Sequence, residues 1–180
     1  MATGEKDTKT SEDHVDRLRR QWSKELPDLD TEPMAILGRA LRLTNMIRPS
    51  IEATFSGYGL DRGEFDVIAT LRRSGPPYRL TPTEMYSLLM ISSGGLTHRL
   101  VRLEKAGLIR REPSPDDGRS MLVALTDVGI ALAEKAFRKD MASEAKFLEP
   151  LSAKEREMLA ALLRKLIVEM EKGSTENSQP

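Results

Sequence analysis

Residues 92–111 read SSGGLTHRLVRLEKAGLIRR, and the fold is decided by how they are read. Leu96, Leu100 and Leu103 recur at helical spacing and share one side of a helix, which must face a core. At about 100° per residue, His98, Arg102 and Lys105 fall on the opposite side, with Gly94 and Gly95 beside them at its start. Ser92 and Ser93 are suited to cap this helix, and Gly107 to end it. A helix that only filled a core would not need five Lys or Arg side chains within and just beyond it.

The flanking segments give the context. Upstream, LTPTEMYSLLM carries Thr81 and Glu84 in capping-box spacing with Pro82 at the first helical position, so a short helix is predicted before the tight turn ISSGG. Downstream, LIRREP and SMLVALT are two short extended runs around the turn signal PDDGR. Helix, tight turn, helix and hairpin in that order describe a winged helix-turn-helix. On this reading the second helix enters a major groove. The glycines allow close approach, while Thr97, His98, Arg102 and Lys105 meet phosphates or base edges. Ser92 and Ser93, at the positive helix end, hold a phosphate. Arg119 at the hairpin tip reaches a neighbouring minor groove or its phosphates. Replacing Arg102 or Arg119 by alanine is then expected to weaken DNA binding and leave the fold intact. A charged outer face on a lone helix is usually just a solvated one. The turn, helix, hairpin and tip arginine in series reverse that balance, and His98 reads as a DNA contact or a solvated residue rather than a metal ligand.

The rest of the chain is mostly helical. Residues 1–10 and 173–180 are polar and are expected to be disordered. Residues 11–56 hold two N-terminal helices. The first has Val15, Leu18, Trp22 and Leu26 on one stripe. The second, opened by Thr31 and Pro33, carries Ile36, Leu37, Ala40, Leu43, Ile47, Ile51 and Phe55, with a kink expected near Arg48 from Pro49. Residues 57–126 form the winged lobe, whose first helix, EFDVIATLRRSG, is closed by Gly75. Thr126 caps a helix over 127–148. Ser152 and Glu155 form a capping box before a last helix bearing Leu159, Leu162, Leu163, Leu166 and Met170. The apolar stripes of 127–172 and of the N-terminal helices are wide enough to join two subunits. The fold class is mainly α with a small β-wing: a winged helix-turn-helix lobe plus a helical dimerisation region.

Composition narrows the chemistry. Lys plus Arg and Asp plus Glu both number 28, so any basic surface must be local. There is no cysteine, which removes disulfides, thiolate metal sites and cysteine nucleophiles, and two histidines do not build an imidazole metal site. No nucleophile–His pairing or phosphate-binding loop is present, since SSGG lacks the P-loop lysine, so the reading is not an enzyme and calls for no cofactor. MATGEKDTKTSEDH lacks a signal-peptide core and no apolar run approaches a membrane span, so a cytoplasmic protein without a membrane partner is expected.

The wing segment DDGRSMLVALT resembles the MarR family of transcriptional regulators, with its D-x-R motif followed by a strand ending in L-T. Asp117 and Arg119 match, and Gly118 stands where the family usually has another arginine. SSGGLTHRLVRLEKAGLIRR is similar to the family's recognition helix and first wing strand, and the resemblance runs from about residue 31 to 172. It implies a homodimer on a palindromic double-stranded operator, usually a repressor released by a small molecule. The helix bearing Trp22, followed by EFDVIATLRRSG, THRL and GLIRR, resembles the urate-responsive branch. This implies that Trp22, Asp66, Arg99 and Arg111 bind and relay urate or a related purine or aromatic anion.

The residue chemistry bears on the same four positions. Asp66 is a lone carboxylate inside FDVIATL, where an unpaired charge is costly. Arg99 lies near the core-facing flank of its helix, placed to pair inward. Trp22 offers a ring face for stacking. Read from the residues alone, two accounts stay open: a ligand set, or an Asp66 salt bridge to Arg99 or Arg111 with Trp22 as core. The alternative function is an effector-independent winged-helix DNA-binding or protein-interaction module.

Overall fold

The computed structural model describes residues 12–90, 95–115 and 120–176. The expected disordered N-terminus, Ser92, Ser93, Gly94, the hairpin tip with Asp117, Gly118 and Arg119, and the end of the tail lie outside the described residues. The chain divides into two compact units, Met1–Pro49 and Ser50–Pro180.

In the first unit, α1 spans His14–Glu25 and opens on a capping box between Asp13 and Asp16. The carboxylate of Asp13 accepts the Asp16 backbone N–H and a bond from Arg39, which together hold its pKa down at about 2. Arg39 also reaches Asp16 at 2.6 Å and donates to the Ala35 carbonyl, so one guanidinium ties the start of α1 to the next helix. That helix differs from the simple amphipathic one expected. It begins with a π-helical turn, Met34–Gly38, before α2 runs from Arg39 to Ser56. Thr31 does not cap it with its hydroxyl, which accepts from Arg19 instead. Pro49 lies inside α2, where the division between the units falls.

In the second unit, the end of α2 contributes Ile51 and Phe55 to the core, and Phe55 stacks on Phe65 at 4.0 Å. Helix α3, Arg62–Arg73, presents Val67, Ile68 and Leu71, all fully buried. β1, Arg79–Leu80, is followed by α4, Pro82–Leu88, with the Thr81–Glu84 capping box in place. α5 spans Leu96–Lys105, and β2, Ile109–Pro113, pairs antiparallel with β3, Met121–Leu125. β1 adds to the far side of β3, with Leu80 opposite Val123, giving the sheet order β1-β3-β2. This third strand is too short to carry an alternation signal, and the sequence reading leaves it out.

α6, Asp127–Phe147, starts on Thr126 as expected and packs on α3, where Arg72 pairs with Glu134 at 2.6 Å. α7 begins at Ala153 behind the Ser152–Glu155 capping box. It runs on to Glu176, past the boundary expected at 172. Residues 152–173 are exposed along their whole length. No described helix is long and apolar enough to cross a membrane.

Two buried side-chain oxygens in this unit, Thr70 Oγ1 and Asp140 Oδ1, have no hydrogen-bond partner among the described residues, and only the second is titratable. Asp140 of α6 is 5% exposed. Burial, and next the charge of Glu144, raise its pKa from 3.8 to about 6. The folded chain therefore holds this proton to a higher pH than the unfolded chain does. The contribution is fully present below about 4 and is lost as pH rises through about 6. A shift of this size corresponds to roughly 3 kcal/mol. Asp140→Asn should accordingly be more stable than the parent above pH 6 and indistinguishable near pH 4. Urea midpoints measured across that range would reject this if the two curves ran parallel.

Candidate nucleic-acid interface

α4 and α5 stand as the two helices of a helix-turn-helix, with the β2–β3 hairpin following at once. Gly95, at φ 77°, precedes α5 and has no side chain to cap it. The serines expected to cap this helix, Ser92 and Ser93, lie outside the described residues. Leu96, Leu100 and Leu103 are buried, fixing which face turns inward. Thr97, His98 and Lys105 are exposed, as the helical wheel requires. Val101 sits among them, 53% exposed. Sequence reasoning passed over it as one more apolar residue, yet an exposed valine on that face suits contact with a thymine methyl.

The two arginines on the flank behave differently from the outer face. Arg99 is half-buried, and its guanidinium lies over the Cα of Gly63 in α3. A Cβ at position 63 would stand 2.2 Å from Arg99 Nε. Arg102, one turn later, reaches Glu64 with Nε at 2.8 Å from Oε1, and its Nη1 lies 3.6 Å from Asp61 Oδ2. Glu64 is only 2% exposed. The expectation that Arg102→Ala leaves the fold intact is therefore revised. Removing Arg102 strips the counter-charge from a buried carboxylate, at roughly 2 to 4 kcal/mol, below a fully buried pair because half of Arg102 stays in water.

In the wing, Glu112 bridges Arg79 at 3.2 Å and Arg110 at 3.0 Å, and these arginines, Arg79 foremost, lower its pKa. Ser114 N–H donates to the Ser120 carbonyl at 2.8 Å, closing the hairpin below its tip.

The proposed effector residues are distributed as follows. Asp66 is buried on α3, with Arg73 Nη1 at 3.8 Å. Arg111 pairs with Glu104 of α5 at 3.3 Å. Trp22 belongs to the other unit. It is 47% exposed there, so it is not core of that unit, and with Leu26, Leu29, Pro33 and Met34 it lines a hollow of about 210 Å³. Among the described residues no group of three His, Cys, Asp or Glu is placed to hold a metal ion.

A helix-turn-helix followed by a β-hairpin that pairs with a short strand ahead of it, with a half-polar, half-leucine second helix, defines a winged-helix transcriptional regulator. The chain belongs to the MarR family. The MarR family model matches residues 58–120. The chain is 42% identical over 149 residues to the HTH-type transcriptional regulator PecS of Dickeya dadantii, spanning 83% of this chain and 90% of that one. A mutant MarR from E. coli solved in complex with operator DNA superposes with a TM-score of 0.62 at 26% identity, covering 81% of this chain and 96% of that one. AbsC from Streptomyces coelicolor, TM-score 0.69 at 23% identity over 81% of this chain and 97% of that one, shares the fold.

Proposed function

We propose that the protein is a homodimeric repressor that binds a palindromic operator through α5 and the wing, and leaves it when a small planar anion binds, urate being the first candidate. The observation that carries the DNA-binding part is α5 itself: its leucines are buried while Thr97, His98, Val101 and Lys105 face outward. The likeness to PecS and to a MarR bound to operator DNA supports the same reading. The effector part rests on chemistry. Asp66 is a buried acceptor, Arg99 is pressed on the helix that carries it, Arg111 is a cation one strand away, and Trp22 supplies an exposed ring. An anion competing for these charges would shift Arg99 and with it α5. A ligand releases DNA only by binding the incompetent conformation better, and a coupling of about 1 to 3 kcal/mol gives a graded response.

The test uses the single tryptophan as reporter. Urate titrated into the complex with an operator duplex, mapped by footprinting upstream of its own gene, should change Trp22 fluorescence. It should also weaken DNA binding roughly 5- to 150-fold. Absence of both effects would sink the urate assignment. An Arg99→Ala variant that still releases DNA on urate would sink the relay and leave the binding site standing.

A further inference from the structure

The first turn of α3, residues 61–64, does two things at once. Asp61 and Glu64 close a capping box, with Glu64 Oε2 accepting the Asp61 N–H at 2.8 Å and Asp61 Oδ1 accepting the Glu64 N–H at 2.7 Å. The same turn seats the flank of α5, with Arg99 against Gly63 and Arg102 against Glu64. The bond to Arg102 is made along one edge of the guanidinium, Nε at 2.8 Å from Oε1 and Nη2 at 3.4 Å from Oε2. The Glu64 side chain is 3% exposed and that of Arg102 is 54% exposed. A carboxylate that deep cannot be left unpaired cheaply, so the Nε edge stays where it is. On the other edge of the planar fork Nη1 pairs with the half-exposed Asp61 Oδ2 at 3.6 Å, and a half-exposed ion pair of that length is weak beside the one to Glu64.

We propose that Glu64 is a positioning residue for DNA recognition: it clamps one edge of Arg102 so that the opposite edge is presented, in a fixed rotamer, to a phosphate or a guanine. The proposal rests on the DNA-binding reading of α5. A free arginine loses its rotamer freedom on binding, whereas here that loss occurs on folding, so the contact is preorganised. The arrangement also separates charge from geometry. A lysine at 102 could neutralise Glu64, but an ammonium has no second planar edge to offer.

The experiment compares affinities for the footprinted operator duplex and a scrambled duplex of equal length at one salt concentration, with melting temperature measured alongside. The variants are Glu64→Gln, Arg102→Lys, Arg102→Ala and Glu64→Gln combined with Arg102→Ala. Glutamine keeps an oxygen for the capping box and removes the charge that fixes Arg102. The operator-to-scrambled ratio should fall about tenfold in Glu64→Gln and in Arg102→Lys, the latter melting close to wild type. In the Arg102→Ala background Glu64→Gln should change the ratio no further, because its effect acts through that arginine. Ratios within about twofold of wild type in both single variants would overturn the proposal, as would an undiminished Glu64→Gln effect without Arg102. Should Glu64→Gln fail to fold, Arg102→Lys decides alone. A wild-type protein that does not discriminate the two duplexes would instead defeat the DNA-binding reading itself.

Discussion

A Gly129→Ala variant should lose roughly 3 to 5 kcal/mol of folding stability, at the upper end of what one added methyl group does. A Cβ at position 129 would stand 2.0 Å from the Leu108 carbonyl oxygen, 3.0 Å from its carbon and 3.1 Å from Leu125 Cδ2. The carbonyl cannot turn away, because it accepts the Thr126 N–H at 3.1 Å. The Thr126 hydroxyl, 2.7 Å from the Gly107 oxygen, takes the Gly129 N–H at 3.0 Å. The end of α5, the start of β2 and the cap of α6 thus meet at one peptide group. Relief would require lifting α6 off the wing. Gly63 gives the contrast: an added methyl would come just as close to Arg99, but there the obstacle is the far end of a flexible side chain. The cost of Gly63→Ala falls on the position of Arg99 and little on the fold. Denaturant midpoints decide it, and a Gly129→Ala variant within about 1 kcal/mol of wild type would show that the α6 start yields, contrary to this account.

What the sequence shows is what its neighbours in the chain determine. The Thr81–Glu84 and Ser152–Glu155 boxes, the Thr126 cap and the α4–α5 pair all rest on contacts within a few residues, and the structure has them. The hairpin follows from two extended runs around a turn signal. The π-helical turn at Met34–Gly38 has no comparable signature, and β1 is defined only by the β3 residues it pairs with, over forty positions downstream. The site divides in the same way. The wheel gave the buried and exposed faces of α5 correctly, but a wheel gives exposure and not direction. Arg102 is exposed as read, yet it is aimed at a carboxylate 38 residues earlier. Glu64 is legible as the capping partner of Asp61, and that local role hides its second one. Val101 was passed over because an apolar residue on a helix is ordinarily assigned to a core.

Placing charges on α7 should dissociate the proposed homodimer. Leu159, Leu163, Leu166 and Met170 recur at spacings of four, three and four, and in the single chain they are between 39% and 73% exposed. Phe147 and Leu148, at the end of α6, are about as open. An apolar helix face of this length left in water marks an interface, and a twofold arrangement lets the same face serve both subunits. In the double variant Leu163→Glu with Leu166→Glu, each leucine withdrawn from such an interface forfeits roughly 1.5 to 3 kcal/mol. Symmetry makes this four side chains, or roughly 6 to 12 kcal/mol, lowering the dimer constant by about four orders of magnitude or more. The helix itself should survive, since glutamate and leucine have similar helix propensities and the Ser152–Glu155 cap is untouched. Two winged lobes must be presented about one helical turn, roughly 34 Å, apart to engage both half-sites at once. Operator affinity should therefore fall about 10²- to 10⁴-fold through lost bivalency, with each α5 still sound. Sedimentation at micromolar concentration, circular dichroism and operator titration on the same preparation separate the possibilities. A monomer of wild-type helicity with weak operator binding is the expected result. A variant that sediments as a dimer and binds its operator as wild type does would place the subunit contact elsewhere.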